Sequence, residues 1–261
     1  MNLWEKEIPY YDDSIDFTPQ ITAYPSTSKG AVVLFAGGGY EGRSVHEGPI
    51  TAKWLNSIGI TTFVVDYRVK PYKHPAEISD AMRAVRFVRA NAKKYNIDKD
   101  KIAVMGFSAG GHLAGSVAVH YDKQMYEPTD KIDKESCRPD ACILGYPVID
   151  MLEYRHDGSR VNLLGERVSK EEKELMALQL HVTKDTPQTF LWHTSEDNAV
   201  PVQNTLLFAM ALADAKVPFE VHIYPHGEHG LGLATLPDKI NPHVAQWTDS
   251  LDKWFSLIEW K

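Results

Sequence analysis

Cysteine is scarce in this 261-residue chain: only Cys137 and Cys142 occur. A disulfide framework needs more of them. A zinc site would need two further ligands, and no second Cys pair or close His pair supplies them. No metal or organic cofactor is therefore expected, and the two thiols read as the reduced side chains of a cytoplasmic protein. Long apolar runs are lacking too. Ala31 to Ala36 is among the longest, far short of the ~20 residues that span a bilayer. Charges and Pro9 interrupt the N-terminal segment, so no secretory signal is expected. Basic tracts are missing: Lys93-Lys94 is the longest, and the net charge is −7. Nucleic-acid binding wants a concentrated basic face, so neither nucleic acid nor membrane is an expected partner. No internal repeat or low-complexity segment occurs.

What is present is ordinary globular composition, 43% hydrophobic and 24% charged, arranged in alternation. Short apolar runs alternate with segments of helical period, as in βαβ units around a parallel sheet. Strands are expected at 31–35, 61–65, 102–105, 143–146, 189–192 and 219–224. The continuous apolar run at 31–35 suits a strand covered on both faces, and 61–65 and 102–105 are the next such runs. An N-terminal hairpin around Ile21 to Tyr24 would add antiparallel strands. Ile78, Ala81, Met82, Val85 and Val88 form one helical stripe, and Val202, Leu206, Ala209, Met210 and Ala213 a second, after Pro201. A third apolar face runs from Val244 to Ile258. The rhythm breaks between Asp150 and Asp185. There a polar stretch leads to Ser169-Lys-Glu-Glu172, a capping box. This reads as a small cap inserted at about 150–185 in a single domain spanning 1–261, and such excursions often carry specificity.

The sharpest signal is Gly106-Phe107-Ser108-Ala109-Gly110, between an expected strand and an expected helix over Gly111 to His120. That context makes G-x-S-x-G a nucleophile elbow: Ser108 sits on a strained turn, and the positions two away must be small because strand and helix pass close. The helix N-terminus then points its free N–H groups at the reacting centre. Upstream, Phe35-Ala36-Gly37-Gly38-Gly39-Tyr40 ends the first apolar strand. Three glycines let bare backbone approach a ligand, and the residues that follow do not fit a phosphate loop. The two N–H donors that hold an oxyanion would come from Ala109 and from Gly38 or Gly39.

A serine needs a base oriented by a third group, in the chain order Ser, acid, His on this topology. After the next-to-last strand stands Glu196-Asp197, and Asp197 is the preferred acid with Glu196 as alternative. After the last strand stands His226-Gly227-Glu228-His229-Gly230. His229 is the preferred base and His226 the alternative. His112, His193 and His222 read as structural.

These motifs together carry a resemblance. With Val65-Asp66-Tyr67-Arg68, Pro75, Asp80 and Asp197-Asn198-Ala199-Val200-Pro201, the chain resembles serine esterases of the α/β-hydrolase superfamily over about residues 20 to 260. It is most similar to the hormone-sensitive-lipase-like and bacterial carbohydrate (acetyl xylan) esterase branch. The resemblance implies an eight-stranded, mostly parallel sheet with helices on both faces, a Ser108–Asp197–His229 triad, and the oxyanion donors already named. One departure stands out: that branch usually has His where this chain has Ala36, which leaves the oxyanion loop without its usual prop. Asp66 and Arg68, on a strand expected beside the elbow strand, read as a pair that braces the site.

The expected reaction is hydrolysis of a short-chain acyl ester, with an acetylated sugar or xylo-oligosaccharide as the favoured small-molecule partner. A feruloyl ester is the close alternative, and an amide hydrolase (arylformamidase or peptidase) shares the scaffold. A non-catalytic member would be expected to lack a triad residue. Tyr40, Tyr146, Pro147 and Val200 are the candidates to line the substrate site, with Trp192 nearby for stacking on sugar. A homo-oligomer is compatible with all of this.

Overall fold

The computed structural model describes residues 1–261. Seven strands form one sheet: β1 (Gln20–Tyr24), β2 (Ala31–Phe35), β3 (Thr61–Asp66), β4 (Ile102–Phe107), β5 (Ala141–Gly145), β6 (Gln188–Thr194) and β7 (Phe219–Tyr224). Their order is β1-β3-β2-β4-β5-β6-β7. Every pairing is parallel except that of β1 with β3. The expected eighth strand is absent. The N-terminus adds only an isolated bridge between Asn2 and Gln20, so β1 is a lone antiparallel edge rather than part of a hairpin. β2 lies between β3 and β4, so Asp66 does not end a neighbour of the elbow strand as expected.

Side chains alternate faces along a strand, and the apolar runs of the centre are used on both. In β2, Ala31, Val33 and Phe35 join one core while Val32 and Leu34 join the other. The first core is closed by the helices α2 (Ala76–Ala90), α3 (Ser108–His120) and α6 (Gln203–Asp214). The second is closed by α1 (Thr51–Ser57) and α7 (Gln246–Leu257), whose Trp247, Leu251, Trp254 and Phe255 are the broad face read from the sequence. A short π-helix at His46–Ile50 precedes α1, and neither was signalled by period. Segment 150–185 holds two short helices, α4 (Asp157–Leu164) and α5 (Lys170–Leu175). The capping box at Ser169 and Glu172 forms as read.

Arg68 finds a different partner from the one expected. It is fully buried and grips Asp80 of α2 through Nε and Nη2, at 2.9 and 2.8 Å. Trp4 Nε1 donates to the same carboxylate at 2.8 Å. Asp66, by contrast, is half-exposed and lies 3.6 Å from Arg43. β3 ends at Asp66, so Arg68 is already in the loop, where its guanidinium reaches Asp80 of α2.

Candidate active site

The carboxyl ends of β2, β4, β6 and β7 converge on one edge of the sheet, where open α/β sheets place their ligand crevice. The β2–β4 register sets Phe35 opposite Gly106, so the Gly37–Gly39 loop emerges beside the elbow. Ser108 itself is at φ 52°, a left-handed conformation unusual for a side-chain-bearing residue. The flanking glycines show why the turn needs them. A Cβ on Gly106 would stand 2.0 Å from the Gly110 carbonyl oxygen, and one on Gly110 would stand 2.2 Å from that of Phe35.

His229 joins the serine to the acid. Its Nε2 lies 2.8 Å from Ser108 Oγ and its Nδ1 lies 2.6 Å from Asp197 Oδ2. Asp197 follows β6, is 7% exposed, and receives the backbone N–H groups of Ala199 and Val200 at 2.9 and 2.8 Å. Burial alone would raise its pKa. Hydrogen bonds from His193 and His229, with the backbone donor, overcome that and hold the carboxyl far below the usual range. Asp197 is therefore charged at neutral pH, as a group that orients an imidazole must be.

His193 had read as structural, yet it touches the acid. Its Nδ1 takes the Thr205 hydroxyl proton at 2.8 Å, which puts the ring proton on Nε2, 3.0 Å from the Val200 carbonyl and 3.2 Å from Asp197 Oδ2. The spacing His193-x-x-x-Asp197 was the available signal. Glu196 and His226, the alternatives, pair with each other at 2.8 Å on the surface, away from Ser108.

The oxyanion loop has a prop despite Ala36. Buried Glu47 accepts the Gly37 N–H at 2.8 Å on Oε2 and the Tyr146 O–H at 2.6 Å on Oε1. Tyr146 Oη in turn accepts the Gly232 N–H at 2.9 Å. Burial and the Glu47 charge push the Tyr146 phenol well above its ordinary range, so it keeps the proton it donates. One carboxylate thus ties the oxyanion loop to the loop that carries His229. Tyr67 adds a hydrogen bond to the Ala36 carbonyl at 2.6 Å, and Asn162 of α4 donates to that of Gly39 at 2.8 Å. No local pattern in the sequence pointed to Glu47.

The four residues expected to line the substrate site lie beneath it. Tyr40, at φ 58°, is 1% exposed and donates to His112 Nδ1 at 2.8 Å, anchoring the oxyanion loop to α3. Tyr146 packs its ring 5.0 Å from His229, behind the base. Pro147 and Val200 are buried, and Trp192 stacks on Trp247 in the core. What borders Ser108 is a cavity of about 190 Å³ lined by Gly38, Gly39, Ser44, His46, Glu47, His156, His229, Gly230 and Lys239, none of them apolar.

A model of the BD-FAE family matches residues 21–212. The chain belongs to that family, within the carbohydrate-esterase branch of the α/β-hydrolases. Among solved structures, this BD-FAE chain is 48% identical to an acetyl ester-xyloside bifunctional hydrolase from Caldicellulosiruptor lactoaceticus. That likeness has a TM-score of 0.94 and covers 100% of this chain and 96% of the other. Two curated relatives are an endo-1,4-beta-xylanase B from Butyrivibrio fibrisolvens and an acetylxylan esterase from Xylanibacter ruminicola. The first is 40% identical over 89% of this chain and 38% of its own length. The second is 34% identical over 85% and 45%. The chain thus spans less than half the length of the curated relatives it matches.

Proposed function

We propose that this chain hydrolyses short-chain acyl esters of sugars, foremost acetyl esters of xylo-oligosaccharides, through an acyl-enzyme on Ser108. The observation that carries the reading is the contact chain Ser108–His229–Asp197, at 2.8 and 2.6 Å, bordering an open cavity beside the Gly38–Gly39 loop. His229 Nε2 takes the serine proton as Oγ attacks the ester carbonyl, and Asp197 steadies the imidazolium that forms. The oxyanion is held by backbone N–H groups of Ala109 and of Gly38 or Gly39. His229 returns the proton to the leaving alcohol, and water then repeats the sequence on the acyl group.

The acyl preference is supported by the cavity. A space of about 190 Å³ with no hydrophobic side chain in its lining suits acetate better than an aromatic acid. No Phe, Tyr or Trp lines it, with Tyr40, Tyr146 and Trp192 buried, which disfavours the feruloyl alternative. The alcohol preference is supported by the xylan-related names of the similar proteins.

The test is a hydrolysis panel: p-nitrophenyl acetate, butyrate and octanoate, acetylated xylo-oligosaccharide, methyl ferulate and N-formylkynurenine, with Ser108→Ala as the blank. The expected result is strong turnover of acetate and acetylated xylo-oligosaccharide that falls by several powers of ten in the variant. Preference for ferulate, octanoate or the amide would overturn the substrate. Activity surviving in Ser108→Ala would overturn the mechanism.

A further inference from the structure

His156 stands at the N-terminus of α4, a position usually held by Asn, Asp or Ser. Its imidazole does the work of those side chains: Nδ1 accepts the Ser159 backbone N–H at 3.1 Å, with Ser159 Oγ at 2.8 Å. A backbone N–H can only donate, so Nδ1 carries no proton and the neutral ring must hold it on Nε2. Burial, and then the neighbouring His229, lower the His156 pKa, which agrees with a neutral ring. The ring lines the cavity that Ser108 and His229 share, and its Nε2–H has no protein partner yet is not sealed from solvent. The helix is held in register with the reacting centre, because Asn162, six residues on, binds the Gly39 carbonyl. The result is a donor with nothing in the protein to receive its proton, on a ring that borders the cleft and is carried by the segment between β5 and β6.

We propose that His156 is a substrate-binding residue that donates a hydrogen bond from Nε2–H to a hydroxyl oxygen adjacent to the scissile ester, and so selects polyol over simple alcohols. This rests on the proposed ester hydrolysis at Ser108. An acetyl group on a pyranose ring has such a vicinal hydroxyl; a plain alkyl ester has none.

The experiment compares kcat/KM for two esters that differ only there, trans-2-acetoxycyclohexanol and cyclohexyl acetate, in the native enzyme and in His156→Asn. Asparagine keeps a capping oxygen for α4 and removes the Nε2 donor. The native enzyme should favour the hydroxylated ester, and the variant should lose about three- to tenfold of that preference, mostly through KM, the range for one neutral hydrogen bond. No native preference, an equal loss on both esters, or a preference that survives in the variant would each overturn the inference. Acetylated xylo-oligosaccharide is run alongside. If the native enzyme ignores it while the matched pair behaves as expected, the sugar-ester reading fails and the role of His156 stands.

Discussion

Two acid–histidine pairs sit side by side in this chain, and only one reaches the serine. Asp197–His229 and Glu196–His226 are close neighbours in sequence, and their contacts are nearly equal, 2.6 and 2.8 Å. They differ in surroundings. The Asp197 side chain is 1% exposed and His229 23%, whereas Glu196 and His226 are 58% and 76% exposed. Asp197 also receives His193 and two backbone N–H groups. An exposed pair is screened and mobile, while a buried carboxylate with four donors is fixed in place and in charge. Contact distance alone therefore says little about what a histidine can do; the partners of the partner decide it.

The comparison breaks most sharply at the base. His229→Ala should cut kcat on p-nitrophenyl acetate by about 10⁴-fold or more, and His226→Ala should stay within about twofold. Comparable losses would mean that the surface pair takes part in the chemistry. At the acid, Asp197→Asn should cost about 10²–10⁴-fold, since the amide favours the wrong imidazole tautomer. Glu196→Gln should again be near neutral, and the reverse ranking in steady-state kinetics would move the acid.

The choice between the pairs could be made from the sequence because it depends on local order along the chain: strand, loop, acid; strand, loop, histidine. The elbow was legible for the same reason, its constraint lying within the five residues Gly106 to Gly110. The central parallel strands were legible because burial on both faces leaves continuous apolar runs, whereas β7, half-exposed at the edge, carries Glu220 and His222 within it. What escaped was side-chain direction and distant pairing. Tyr40, Tyr146 and Trp192 do lie around the site, but composition does not say whether a ring faces the cleft or backs it. Here the hydroxyls of Tyr40 and Tyr146 turn inward to His112 and Glu47. Arg68 chose Asp80 over the nearer Asp66 because its side chain lies beyond the strand end. Glu47 gathers Gly37, Tyr146 and, through it, Gly232, three positions widely separated in sequence that only the folded sheet brings together.

Glu47 supplies the next, smaller test, and sharpens the contrast between fixed and solvated carboxylates. Glu47→Gln keeps one acceptor oxygen and exchanges the other for a donor, so either the Gly37 N–H or the Tyr146 O–H loses its acceptor. A buried donor left unpaired costs about 1–3 kcal/mol. The loss should fall on the oxyanion loop and the base loop together, lowering kcat by roughly tenfold with little change in KM. Tyr146→Phe should lower kcat in the same direction, and the double variant should cost less than the sum, because both changes break one relay. Strict additivity would show that the two loops are held independently.

The smallest effect concerns stability and again separates buried from exposed rings. His112 is fully buried, with Nδ1 accepting from Tyr40 and Nε2 donating to the Met176 carbonyl at 2.9 Å. Burial, aided by the His74 charge and only partly offset by the Met176 hydrogen bond, lowers its pKa from 6.5 to about 4. His120, also buried, donates from Nε2 to the Leu175 carbonyl at 2.9 Å and is lowered too, to about 3. In this range the unfolded chain binds protons that the folded chain refuses, so stability must fall as pH falls. Their contribution is whole above pH 6.5 and is lost as pH drops through about 4. The slope should approach, for each ring, an upper bound on the order of 1 kcal/mol per pH unit. Urea denaturation at intervals from pH 7 to 4.5 reads this directly. A midpoint that held constant across that interval would mean that these rings take up protons in the folded state, and the tie from α3 to the segment that carries α4 and α5 would then have to rest on contacts other than the Met176 and Leu175 carbonyls.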